Sequence, residues 1–190
     1  MKTSLITRVI DAFWNQTAAA LAARPALVEW MFSIGQNTPY EHLPGYMMRW
    51  WILPPAAKRG SAGFWSIKNQ LRRLRKNLRL HLLMRGDRDK HHHNHPWEFR
   101  TLVLRGWYVN EVTLADGTTK CNVVSAGQSY RMGVGEFHRI AAVSPGGALT
   151  LVFYTTKRTD RWWGFLVNGE VVHWRTYLGL DHKSPAEGDR

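Results

Sequence analysis

Four histidines, His91, His92, His93 and His95, fall within five positions of the stretch HHHNHPWEFRTLVLRG that spans residues 91 to 106. Imidazole nitrogen is a common ligand for Zn, Fe, Ni and Cu. Residues i and i+2 of a strand share a face, so His93 and His95 can grip one ion between them. The same composition also suits a solvated loop, or a surface tract that traps metal without using it. Two imidazoles need a further ligand. His138 is an isolated histidine in a later strand context, preceded by the glycine turns at Gly127 and Gly133-Val134-Gly135. Alone it would read as a structural residue; with His93 and His95 it completes a three-histidine set.

Such residues need strands to carry them. From residue 78 the chain alternates: Leu78, Leu80, Leu82 and Met84 interleave with Arg79, His81, Leu83 and Arg85, and Gly86-Asp87 turns it. Strands are expected over 99–104, 107–114, 118–124, 129–132, 137–143 and 148–155. Asp116-Gly117 and Asn168-Gly169 mark tight hairpins, the second between 163–167 and 170–174. Short strands with turns at these intervals indicate a sandwich or barrel. The first part of the chain differs. A helix is expected over 4–23, capped by Thr3 or Ser4 and broken at Pro25, and a short second helix over 26–33. It reads as a lid packed on the main domain or an amphipathic anchor. Residues 35–63 read as irregular connection around a buried strand or turn at 47–53. Ile67, Leu71, Leu74 and Leu78 then form the apolar seam of a basic helix. The expected division is a helical and irregular basic extension over 1–76, then a β-barrel with a C-terminal hairpin over 77–190.

Composition narrows the classes. A 44% hydrophobic fraction belongs to a globular protein, and a lone cysteine, Cys121, excludes an internal disulfide framework. The net charge of +12 is uneven: residues 1–80 carry twelve basic against three acidic side chains, residues 81–190 fourteen against eleven. Between Lys58 and Arg79 there are eight basic residues and no acid, interleaved with Phe64 and Trp65. Arg72, Arg73, Arg75 and Lys76 are therefore candidate nucleic-acid contacts, against the blander reading of a solvated helix face, which is favoured. Arg8, Asp11, Asn15 and Gln16 interrupt any signal-peptide core, and no apolar run reaches membrane-spanning length. A cytoplasmic protein without a transmembrane segment is expected.

The two histidine motifs together resemble the cupin superfamily. Gly127, five residues, Gly133-Val134-Gly135, two residues and His138 match the second cupin motif, with Gly133 in its proline position and Ala142 where asparagine is usual. His93-Asn94-His95 matches the HxH of the first, although Gly86 lies one residue too far upstream. More narrowly, Arg85-Gly86-Asp87, His93-Asn94-His95-Pro96-Trp97, Leu104-Arg105-Gly106-Trp107-Tyr108, Glu111 and Trp163-Gly164-Phe165 are similar to small, largely uncharacterised HxHPW cupins of bacteria and phages. The resemblance implies a mainly β fold, a cupin-type antiparallel jelly-roll barrel with N-terminal helices. It also implies a metal site at His93, His95 and His138 for a divalent transition ion, Fe, Zn, Ni or Mn. The motif glutamate should fall at position 99 or 100, which are Phe99 and Arg100, so Glu98 is the remaining carboxylate candidate, should a bulge at Pro96 turn it inward.

A three-histidine set leaves coordination positions open for substrate and dioxygen. Three-histidine cupins include thiol dioxygenases, whose iron binds the substrate thiolate and amine. Arg100, Tyr108, Tyr130, Arg131 and Arg139 are candidates to hold a substrate carboxylate. The leading reading is a metal-dependent oxygenase or isomerase acting on a small acidic molecule. Its rivals are a metal- or ligand-binding module without turnover, and a nucleic-acid or partner-binding protein using the basic N-terminal region. A small-molecule ligand is the expected partner, and a homodimer is compatible with the sequence.

Overall fold

The structure, a computed structural model, describes residues 4–52, 78–157 and 162–180, without the side chains of 155–157. The expected basic helix around Ile67, Leu71 and Leu74 and the expected boundary at residue 76 lie outside these residues. Leu78, which the pattern placed both at the end of that helical seam and at the start of an alternating strand, opens the strand.

Two helices come first. α1 spans Leu5–Ala22, and the Ser4 hydroxyl accepts the Thr7 backbone N–H at 3.2 Å, so the N-cap holds one of the otherwise unpaired first-turn donors. α2 spans Pro25–Gln36. Pro25 does not merely break α1; it begins α2, where its fixed φ and missing N–H cost nothing. Ten strands follow: β1 (Met47–Trp51), β2 (Leu78–Leu83), β3 (Trp97–Arg105), β4 (Trp107–Thr113), β5 (Thr119–Ser125), β6 (Ser129–Met132), β7 (His138–Val143), β8 (Ala148–Lys157), β9 (Gly164–Val167) and β10 (Glu170–His173), then the short helix α3 (Trp174–Tyr177).

The strands form a five-stranded sheet in the order β1-β2-β8-β3-β6, a three-stranded sheet β5-β4-β7, and the β9-β10 hairpin, all antiparallel. This is the expected mainly β, jelly-roll-type fold with helices at the N-terminal side. Instead of a fully closed barrel, the described residues form the five-stranded sheet and, facing it, the three-stranded sheet, which is linked to the β9-β10 hairpin where His93 pairs with both His138 and Phe165. The hairpin signals read correctly: Asn168 and Gly169 take φ of 52° and 85°, as a two-residue turn of the primed type requires.

Period-2 alternation divides the large sheet into two buried faces. Leu80, Leu102, Leu104, Leu149 and Leu151 pack beneath the helices against Ala18, Val28 and Met31. Leu83, Val103 and Ala148 point the other way, toward Tyr108, Val124 and Ile140 of the small sheet. The helices thus roof one apolar face, and the space between the sheets holds the second apolar cluster together with the polar side chains that line the cavity. No helix among the described residues is long and apolar enough to cross a membrane.

Candidate metal centre

His93 lies in the connection between β2 and β3, held like a strand residue. Its N–H donates to the His138 carbonyl at 2.8 Å, and the His138 N–H returns the bond to the His93 carbonyl at 2.9 Å. Residues paired this way in an antiparallel ladder place their side chains together on one face, and the two rings lie 4.9 Å apart between centroids. His95 follows on the same face, its ring 5.0 Å from that of His93. Asn94, between them, must point the other way. It is buried, its Oδ1 accepts the Gly164 N–H at 2.8 Å, and its own N–H donates to the Gly164 carbonyl at 3.1 Å. Gly164 cannot be larger, because a Cβ there would stand 2.3 Å from the Val172 carbonyl oxygen.

The ligand nitrogens of His93, His95 and His138 all lie within 4.8 Å of one another. His138 Nδ1 is 2.6 Å from the Asn110 side-chain oxygen, and Asn110 is itself buried at 1% exposure. An amide oxygen only accepts, so Nδ1 carries the proton and Nε2 is left with its lone pair. That Nε2 stands 2.9 Å from Nε2 of His95. Two nitrogens about 2.1 Å from one ion, at roughly a right angle around it, lie about 3 Å apart, so the pair fits a shared ion. Burial, reinforced by the neighbouring histidines, holds the imidazoles of His95 and His138 well below the usual histidine range; burial also lowers that of His93. Neutral imidazole is the ligating form.

These histidines line a cavity of about 510 Å³ between the sheets. Tyr108 and Tyr130 line it too, and burial raises both phenol pKa values, so both hydroxyls remain donors. The three arginines expected at the substrate are directed elsewhere. Arg100 lies under α1, bonded to Asp11 at 2.6 Å and Ser129 at 3.1 Å. Arg131 donates two bonds to Glu98, at 3.0 and 2.8 Å, and Arg139 pairs with Glu111. The pairing of β3 with β8 does shift between Trp97 and Phe99, the irregularity anticipated at Pro96. It leaves the Glu98 carboxylate on Arg131, apart from the three histidines. His91 bonds the Tyr177 hydroxyl at 3.0 Å and His92 the Thr113 hydroxyl at 2.7 Å, so the run divides two and two. Arg72, Arg73, Arg75 and Lys76 lie outside the described residues.

Four polar residues that belong to no metal or substrate motif of the sequence also shape this site: Asn94, Asn110, Arg49 and His81, the last two lining the cavity from β1 and β2. Asn110 and His81 each stand as a polar residue among apolar strand neighbours, which is the signal that marks them. Asn94 had a signal too, as the residue that must face away from its flanking ligands.

No family model matches the chain, and no curated protein matches its sequence. Solved structures similar to it are of cupin fold. They include oxalate decarboxylase from Bacillus subtilis, studied for its Mn(II) centres, at 12% identity and a TM-score of 0.43 over 75% of this chain and 32% of that one. They also include a structure from work on DMSP lyases, at 17% identity and a TM-score of 0.36 over 45% of this chain and 41% of that one. The chain thus spans about a third of the length of the oxalate decarboxylase chain.

Proposed function

We propose that this chain is a cupin-type metalloprotein in which His93, His95 and His138 hold one divalent transition ion, of Fe, Zn, Ni or Mn, for an oxygenase or isomerase reaction on a small acidic molecule. The observation that carries the reading is the convergence of three imidazoles at the wall of a cavity of about 510 Å³. A cavity of that size suits a small organic ligand. An ion so bound supplies Lewis acidity and, where the metal is redox-active, a binding place for dioxygen beside the substrate.

The chain's own residues prepare that chemistry. Asn110 fixes the His138 tautomer, which is how a hydrogen-bonded outer partner orients a metal ligand. Trp97, Phe99 and Phe165 wall the histidines with apolar surface and limit water. Tyr108 and Tyr130 offer hydroxyl donors from the facing side. Elemental analysis of protein purified without a polyhistidine tag tests the metal, with one ion per chain expected. Oxygen uptake with small carboxylic acids then separates catalysis from binding without turnover. Protein that neither retains nor takes up a stoichiometric transition ion contradicts the proposal.

A further inference from the structure

The cavity wall built by β1 and β2 carries positive charge that the three-histidine set does not use. Arg79 and His81 lie two apart on β2 and share a face, and Arg49 is the register partner of His81 on β1. His81 is 8% exposed, and its Nε2 has no hydrogen-bond partner among the described residues; neither has Nε of Arg79. Buried polar atoms are nearly always paired, so two orphans in one cluster need a cause. The Arg79 guanidinium is clamped over the rings of Tyr40, Trp51 and Tyr154, with centroids at 4.2, 4.5 and 4.5 Å. Arg49 is steadied by the backbone carbonyl of Glu41, and the Glu41 carboxylate, 59% exposed, stands 3.8 Å away. The aromatic faces offset part of the Arg79 charge. They give His81 no partner, and the charges that act on His81 are the two guanidiniums, both repelling a proton there.

A wall that gathers two permanent cations and an unpartnered imidazole in a half-buried setting is paid for in stability unless an anion completes it. We propose that Arg49 and His81 form the carboxylate subsite of this cavity. It takes the head of a small organic acid whose apolar body lies along Val152 and Tyr154 and whose far end reaches the three histidines. His81, in the tautomer with the proton on Nε2, donates one hydrogen bond, and Arg49 supplies the charge. Arg79 holds the wall's potential positive from behind its ring clamp. This deepens the metal reading, on which it depends only for what lies at the far end of the acid.

Calorimetric titration of the untagged full chain with phenylacetate, succinate and inorganic phosphate tests the subsite, with and without prior chelation of metal. The carboxylates should bind in both states and compete with one another. His81→Leu and Arg49→Gln should each weaken binding about ten-fold or more, the order expected for a hydrogen bond to a charged group. His81→Gln, whose amide can place an N–H near the position of Nε2, should stay closer to the unmodified protein. Metal content should be unchanged in all three variants. Carboxylate binding by chelated protein that never takes up metal would sink the metal reading and leave the subsite standing. The subsite is overturned if no carboxylate binds the unmodified protein, if His81→Leu binds as well as it does, or if phosphate alone is retained.

Discussion

His93 and His138 exchange both of their backbone hydrogen bonds, at 2.8 and 2.9 Å, although 45 positions separate them in the chain. Two of the three candidate ligands are thereby fixed in one ladder rung, and the bonds that fix them belong to the main chain. Replacing an imidazole removes a ligand without removing the rung, so substitutions here test chemistry more than folding.

His138→Ala should therefore lose most of its metal, as should His95→Ala, while both remain folded. His91→Ala and His92→Ala should keep it, because those side chains are bonded to Tyr177 and Thr113. Metal per chain by elemental analysis, beside a far-ultraviolet spectrum, checks this. Loss in His91→Ala with retention in His138→Ala would make the histidine run a surface tract.

Asn110 Oδ1 accepts a hydrogen bond from His138 Nδ1–H at 2.6 Å from a fully buried position. Asn110→Ala should weaken metal affinity by roughly 10–100-fold, the range seen when an outer-shell partner of a ligand is lost. Competition with a chromophoric chelator measures it. An unchanged affinity would mean that the tautomer is fixed by something other than Asn110.

Burial, and then Arg49 and Arg79, press the His81 imidazole down to about 3. The unfolded chain, with a histidine pKa of about 6.5, binds a proton that the folded chain refuses between those two values. Stability from this group is therefore present above about pH 6.5 and is lost as pH falls toward 3, by up to about 1.4 kcal/mol per pH unit. Denaturant unfolding of metal-free protein at pH 7 and pH 5 should show a loss that His81→Leu reduces by about 2 kcal/mol. The same pH dependence in the variant would contradict a buried neutral imidazole at this position.

Arg100 is buried, and Asp11 of α1 stands 2.6 Å from it. Asp11→Ala leaves that guanidinium with Ser129 and the Trp14 ring among the described residues. Since Asp11 is 43% exposed, the pair is partly screened, and a loss of about 1–3 kcal/mol is expected in urea unfolding, with metal content unchanged. A neutral effect would show that α1 is held by Trp14, Ala18 and Leu21 without this pair.

The histidine triad was legible because its geometry is local on each side: an i, i+2 pair in one motif and a glycine-delivered strand start in the other. The arginines were not. Strand alternation tells which residues share a face, but not which face meets the cavity. In β3 both faces are buried, one beneath the helices and one between the sheets, so Arg100 and Phe99 could not be ranked by burial. On β2, Leu78, Leu80 and Leu82 turn outward to the helices while Arg79, His81 and Leu83 turn in, so the charged side chains share the inner face with a leucine, unlike a sheet with one wet face. Arg49 was hidden for a further reason. Its position depends on the pairing of β1 with β2 across 26 intervening residues, which no local pattern announces.

Asn94 is stitched to Gly164 by two hydrogen bonds that close a loop of 70 positions. A growing chain that has reached His138 already owns every imidazole of the triad, yet lacks the strand that pins the loop between two of them. Closing such long loops is slow relative to local structure, because their entropy is lost before the contacts form. The loop between His93 and His95 is therefore pinned only when β9 is in place, so any ion held by the three imidazoles would be held in this geometry only once the β9-β10 hairpin has docked.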